Sequence, residues 1–183
     1  MNNHLKNYIR QFEYYKSLAD KAMEQITADE LFLLPAPHSN SVAVIVKHIA
    51  GNMLSRWTEI FTSDGEKEWR NREQEFDASD MNHAELMAYW EKGWATLFAT
   101  LESMSDSDLE RIIYIRNMGH TVQEAIIRQI CHYPYHIGQI VYICKLLRGD
   151  KFNSLSIPKN QSKTYNKDKF DKEKSRKHFT EDL

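Results

Sequence analysis

Apolar residues recur at three- and four-residue spacing through four long segments, and no other feature narrows the fold of this chain as much. Leu5, Tyr8, Ile9, Phe12, Tyr15, Ala19, Ala22, Met23 and Ile26 predict a first amphipathic helix over about residues 3 to 26. Pro35 and Pro37 close that region. Ser41 then caps a second helix whose apolar side runs Val42, Val46, Ile49, Met53, Trp57 and Ile60, ending near Ser63 before Asp64-Gly65. Asn82 with Glu85 is a capping-box signature ahead of Leu86, Trp90, Trp94, Leu97, Leu101 and Met104, the third helix. Ser105-Asp106-Ser107-Asp108 breaks it, and Ile112, Tyr114 and Ile115 suit a short extended segment. Thr121 with Glu124 repeats the box before an apolar run from Val122 to Leu147, with Gly149 as C-cap.

At 183 residues the chain suits one compact domain, read as a bundle over 1–150 followed by a polar, basic tail over 151–183. Only 6 Gly and 4 Pro argue against a β-sandwich or barrel. The expected class is all-α: short connections would alternate the four helices in an antiparallel bundle. Residues 64 to 81 form a long connection between the second and third helices, carrying seven acidic and three basic side chains and no periodicity. A connection of that length is functional or mobile. The net charge of −2 gives no global field for nucleic acid or anionic membrane, and the basic excess sits in the tail. No uncharged stretch reaches the ~18 residues of a membrane span, and the N-terminus lacks a secretory apolar region, so a cytoplasmic location is expected. Cys131 and Cys144 lie 13 residues apart on one helix, too far to bridge.

The candidate chemistry lies in histidines. His132 and His136 form an i,i+4 pair on the fourth helix, about 40° apart on one face, which suits chelation of one ion. Gln129 and Gln139 share that stripe. On the second helix His48 shares a polar stripe with Ser41, Asn52, Ser55 and Glu59. Facing each other inside the bundle, the two stripes would line a polar pocket; otherwise each is its helix's solvent face. Pro134 between the histidines predicts a kink costing about 3 kcal/mol or more. Gly138 would permit a close helix neighbour at about 1 kcal/mol.

Val46-Lys47-His48-Ile49-Ala50-Gly51-Asn52 together with His132-Tyr133-Pro134-Tyr135-His136-Ile137-Gly138-Gln139-Ile140 resembles the DinB/YfiT-like superfamily over most of the chain. Gly51 to Trp57, Ser63 to Lys67, Arg70-Asn71-Arg72, Glu75-Phe76 and Leu155 to Lys159 look like one uncharacterised bacterial branch of it. The resemblance implies an up-down-down-up order in place of the alternating one, with the 64–81 connection as crossover. It also implies one divalent transition metal (Zn, Ni, Fe or Mn) held by His48, His132 and His136, and pairing as a homodimer. Some relatives transfer low-molecular-weight thiols to electrophiles, others isomerise or hydrolyse.

Three neutral imidazoles leave at least one coordination position open, as in catalytic zinc sites. With such an open site, the resemblance implies a metal-dependent thiol transferase or hydrolase acting on a small molecule; the alternative is a non-catalytic binding or stress-response module with a structural or sensory ion. Asn52 and Gln139 are candidates to orient a ligand or brace the histidines, or else packing partners. Arg56 and Arg72 could clamp an anion, or pair at the surface with Glu59 or Glu75. Trp57, Trp69, Trp90 and Trp94 read as core or loop anchors, and the remaining histidines as surface residues. No His-Glu-x-x-His, Glu-x-x-His pair or glycine-rich phosphate loop is present.

Overall fold

The computed structural model describes residues 4–182. Four long helices form where the periodicity places them: α1 (His4–Met23), α2 (Val42–Trp57), α3 (His83–Glu102) and α4 (Val122–Arg148). Strands β1 (Ile112–Ile115) and β2 (Met118–Thr121) make one antiparallel hairpin before α4, with Ile112 opposite Thr121 and Ile115 opposite Met118. A short α5 (Ser162–Phe170) with no buried residue lies in the C-terminal segment. The described residues are thus mostly helical with one small sheet. None of these helices is long and apolar enough to cross a membrane.

The helix starts follow from local chemistry. Ser41 Oγ accepts from the Val44 N–H, and the Asn82–Glu85 and Thr121–Glu124 boxes are closed in both directions. Each such cap is worth about 1 kcal/mol. The ends differ from expectation at two places. α1 stops at Met23, with Gln25 and Ile26 in turns. α2 stops at Trp57 and not near Ser63, because Thr58 is extended and Glu59 takes the left-handed conformation (φ 48°); the Glu59 carbonyl then accepts from the backbone N–H groups of Thr62 and Ser63. Ile60 is still buried, carried by the turn.

α2 packs most extensively on α3, and α1 on α4; α2 also meets α4, and α1 meets α3. Between α2 and α3 the backbones come close at Gly93, where a Cβ would stand 2.9 Å from Ala50 Cα. Phe12, Trp94 and Tyr133 join α1, α3 and α4 at the centre, with ring centroids 5.9 to 6.5 Å apart. Trp57 and Trp90 are also buried, whereas Trp69 is 60% exposed and anchors no core. α4 runs through Pro134 without ending. Among the described residues nothing lies within 4 Å of the Cβ position at Gly138, so none of them is the close neighbour expected there.

Every residue of α2 is buried, including Lys47, His48, Asn52, Ser55 and Arg56. Its polar stripe is therefore not a solvent face. The 64–81 segment covers it. Lys47 Nζ donates to the Asp77 carbonyl and to Asp80 at 2.6 Å each, and Ser55 Oγ donates to the Gly65 carbonyl while accepting from the Lys67 N–H. The same segment pins the hairpin. Arg116 and Asn117 occupy its turn with φ 53° and 59°, a conformation that fits the strand twist but is uncommon for such side chains. The Asp64 carboxylate holds both, accepting their backbone N–H groups at 2.8 Å. The C-terminal segment returns to α1 through the Arg10–Glu181 ion pair (2.7 Å) and the Tyr14–Phe179 ring contact.

Candidate metal centre

His48 from α2 and His132 and His136 from α4 converge, each offering a ring nitrogen, with those nitrogens within 4.8 Å of one another. The His48 ring centroid lies 5.5 Å from that of His132 and 5.0 Å from that of His136. Each ring has its own partner at Nδ1: Glu75 Oε2 for His48 (2.9 Å), Gln129 Oε1 for His132 (3.2 Å) and Gln139 Oε1 for His136 (2.9 Å). A carboxylate or amide oxygen only accepts, so each Nδ1 carries a proton, and Nε2 is the nitrogen that a neutral ring offers to an ion. Outer partners of this kind fix the tautomer and aim of metal-binding imidazoles. Burial and the neighbouring His136 and His48 push His132 down to about 3, and burial lowers His136 despite its bond to Gln139. These two α4 rings are thereby kept neutral, as ligation requires.

Glu75 is the hub of this support. Besides His48 it receives Arg70 through two parallel bonds, Nε to Oε1 at 2.7 Å and Nη2 to Oε2 at 2.8 Å, and Arg70 also reaches Glu66. Burial alone would raise the Glu75 carboxyl, but the hydrogen bonds from His48 and Arg70 and the Arg70 charge outweigh it and hold it below the ordinary carboxylate value. Gly51, one turn from His48 on α2, makes this approach possible: a Cβ there would overlap Glu75 Oε1 and stand 2.9 Å from its Cδ. Phe76 stacks on the His48 ring at 5.4 Å and Arg72 lies over Phe76.

A cavity of about 300 Å³ opens beside the three histidines, at the small end of the range for ligand sites. Asn52 and Arg56 line it, as do Arg70, Arg72 and Phe76 of the 64–81 segment. Asn52 is oriented by a buried relay. The Trp57 indole N–H donates to Tyr133 Oη (3.1 Å), so the Tyr133 hydroxyl proton goes to Asn52 Oδ1 (3.0 Å). The Asn52 Nδ2 group is left as donor. Arg56 forms no surface pair with Glu59 or Glu75; it is 4% exposed, and its Nε and Nη1 have no hydrogen-bond partner among the described residues. Arg72 pairs with exposed Glu73 at 3.7 Å. Gln139 braces His136 and lies outside this cavity.

Residues 1–161 match the family model described as "Protein of unknown function (DUF1572)". The chain belongs to the DUF1572 family. The match extends past residue 150 into the segment that composition marks as tail. The crystal structure of "the conserved protein of locus from Enterococcus faecalis" is similar in fold to this DUF1572 chain. Its TM-score is 0.63 at 20% identity, over 82% of this chain and 100% of that one. No curated protein matches.

The sequence singled out the three histidines, Asn52, Arg56, Arg72 and the two glutamines of the α4 stripe; the structure brings all but the glutamines to the cavity, and each glutamine instead meets a histidine. Glu75, Arg70 and Arg128 were missed as members. Glu75 and Arg70 lie in an aperiodic segment, where nothing in one dimension ties them to α2. Arg128 had a signal, since it stands four residues before His132 on the same helix row.

Proposed function

We propose that this DUF1572 protein is a divalent-metal-binding four-helix bundle of the DinB/YfiT-like type, in up-down-down-up order, that uses its ion in transfer of a low-molecular-weight thiol or hydrolysis of a small molecule. One observation carries the reading: three imidazoles from two helices each offer a ring nitrogen within 4.8 Å of the others, each with Nδ1 against a different oxygen acceptor. The residues fit a Zn, Ni, Fe or Mn ion, all of which accept imidazole. Among the described residues the group has no fourth His, Cys, Asp or Glu member, which favours a catalytic over a closed structural site.

When bound, such an ion supplies a Lewis-acidic position that lowers the pKa of water or of a thiol near neutral pH. The chain's own residues do the rest. Glu75, Gln129 and Gln139 hold the imidazoles in one tautomer and direction. Phe76, stacked on His48, shields that ring from water, and Asn52 Nδ2 and the Arg56 guanidinium offer donors to a molecule in the cavity. Thiol transfer would join the thiol sulfur to an electrophilic carbon and release the leaving group with the thiol proton. A panel of low-molecular-weight thiols with chlorodinitrobenzene should show metal-dependent conjugation, abolished in His48→Ala and reduced in Asn52→Ala. No rate above buffer with any thiol, and no thiol or water signal on the loaded ion, would overturn the catalytic reading in favour of a binding or sensory module.

A further inference from the structure

The cavity wall is far more basic than the chain. Arg56, Arg70, Arg72, Arg116 and Arg128 line it against a single carboxylate, Glu66, although the chain as a whole carries −2. Glu66 is already shared between Arg70 Nη1 at 3.1 Å and Arg116 Nη2 at 3.4 Å, and Arg70 is further matched by Glu75. Arg72 has Glu73. Arg56 and Arg128 have no carboxylate within ion-pair distance among the described residues. Arg56 is the notable case, because a guanidinium that is buried and short of acceptors is costly to hold in a fold. Gly65 makes room for it: a Cβ there would stand 3.1 Å from Arg56 Nη1.

Helix geometry sorts the cavity into two ends. His48, Asn52 and Arg56 follow one another at four-residue steps on α2, and Arg128, His132 and His136 do the same on α4. Each step is a rise of about 6 Å along one face. The histidines meet at one end of these rows, and Arg56 and Arg128, which act on each other as like charges, come together toward the other. Asn52 stands between, with its Nδ2 as the donor end.

We propose that this cavity binds a small anionic molecule by its carboxylate or phosphate group, held by Arg56 and Arg128 with Asn52 Nδ2 donating, so that the molecule's other end reaches the three imidazoles. The ligand class is then a small molecule with an anionic oxygen group roughly 6 to 12 Å from its reactive donor, set by one to two helix turns. This extends the metal reading by naming the ligand it acts on, but the anion end stands on the arginines alone.

The test separates the two. Metal-free protein at low salt is titrated calorimetrically with succinate, inorganic phosphate and uncharged succinamide; succinate or phosphate should bind at least about tenfold tighter than succinamide. That preference should fall about tenfold in Arg128→Gln, an exposed position where folding is not at stake, and at least as far in Arg56→Gln, while Arg10→Gln leaves it unchanged. Which anion binds better tells carboxylate from phosphate. In cobalt-loaded protein, mercaptosuccinate should likewise outbind mercaptoethanol, again through Arg128. Anion preference in metal-free protein without metal loading would leave this inference standing and remove the metal reading. Equal binding of succinate, phosphate and succinamide, or a preference untouched in Arg128→Gln, would overturn the inference whether or not metal binds.

Discussion

Gly51→Ala tests the support of the histidine cluster with a single methyl group that touches no histidine. Inside α2, replacing glycine by alanine would on propensity alone stabilise the helix by about 1 kcal/mol. The surroundings reverse that expectation for the site. The new Cβ would overlap Glu75 Oε1 and lie 2.9 Å from Cδ and 3.3 Å from Cγ, so the whole carboxylate must withdraw. Withdrawal removes the acceptor from His48 Nδ1 and breaks the paired bonds from Arg70. Loss of one such outer partner typically costs 10- to 100-fold in metal affinity, here about 1.4 to 2.8 kcal/mol. Gly138→Ala is the matched control: the position is open, so the same substitution should add up to about 1 kcal/mol and roughly 2 to 4 °C in melting temperature, with metal affinity unchanged. Chelator competition on both variants, beside thermal melts, gives the comparison. Wild-type metal affinity in Gly51→Ala would refute the role assigned to Glu75.

Other outcomes follow from single contacts. Tyr133→Phe leaves the buried Trp57 indole N–H without its acceptor and should cost about 1 to 3 kcal/mol in chemical denaturation; an unchanged midpoint would contradict the relay. Asp64 is held below the ordinary carboxylate value by three backbone N–H groups that outweigh burial, so its contribution is present at neutral pH and lost as pH falls through its folded value. Protection of the Arg116 and Asn117 amides from hydrogen exchange, relative to their intrinsic rates, should fall in that acid range, and already at pH 7 in Asp64→Ala; undiminished protection in that variant would be inconsistent with the pin. Tyr135 and Tyr142 of α4 are 64% exposed beside exposed Leu146. An apolar strip of that kind marks association, so light scattering should give a homodimer that Tyr135→Glu weakens, and a monomeric mass for the wild type would exclude it.

The helices were legible because their information is local: capping boxes at Asn82 and Thr121 and apolar spacing need no knowledge of neighbours. His132 and His136 were legible for the same reason, sharing one helix face, with Gln129 and Gln139 three residues to either side. His48 joined them only through the family resemblance, since a polar stripe on α2 reads equally as a solvent face. What buries that stripe is the 64–81 segment, whose contacts with α2 through Lys47, His48 and Ser55 span 10 to 33 residues and follow no period. Arg56 shows the consequence. By composition it is a surface cation, and only the wrap of Gly65 and the hairpin over α2 makes it a buried one.

Elemental analysis of the purified protein, read beside its histidine variants, bears most directly on the account. About one divalent transition metal per chain is expected in the wild type. In His132→Ala, and equally in His48→Ala and His136→Ala, that content should fall sharply while far-UV circular dichroism keeps its helical signal, since apolar packing supplies most of the fold. Full metal occupancy in His132→Ala, or a wild-type protein that takes up no transition metal when offered it, would contradict the assignment of these three imidazoles as a metal centre.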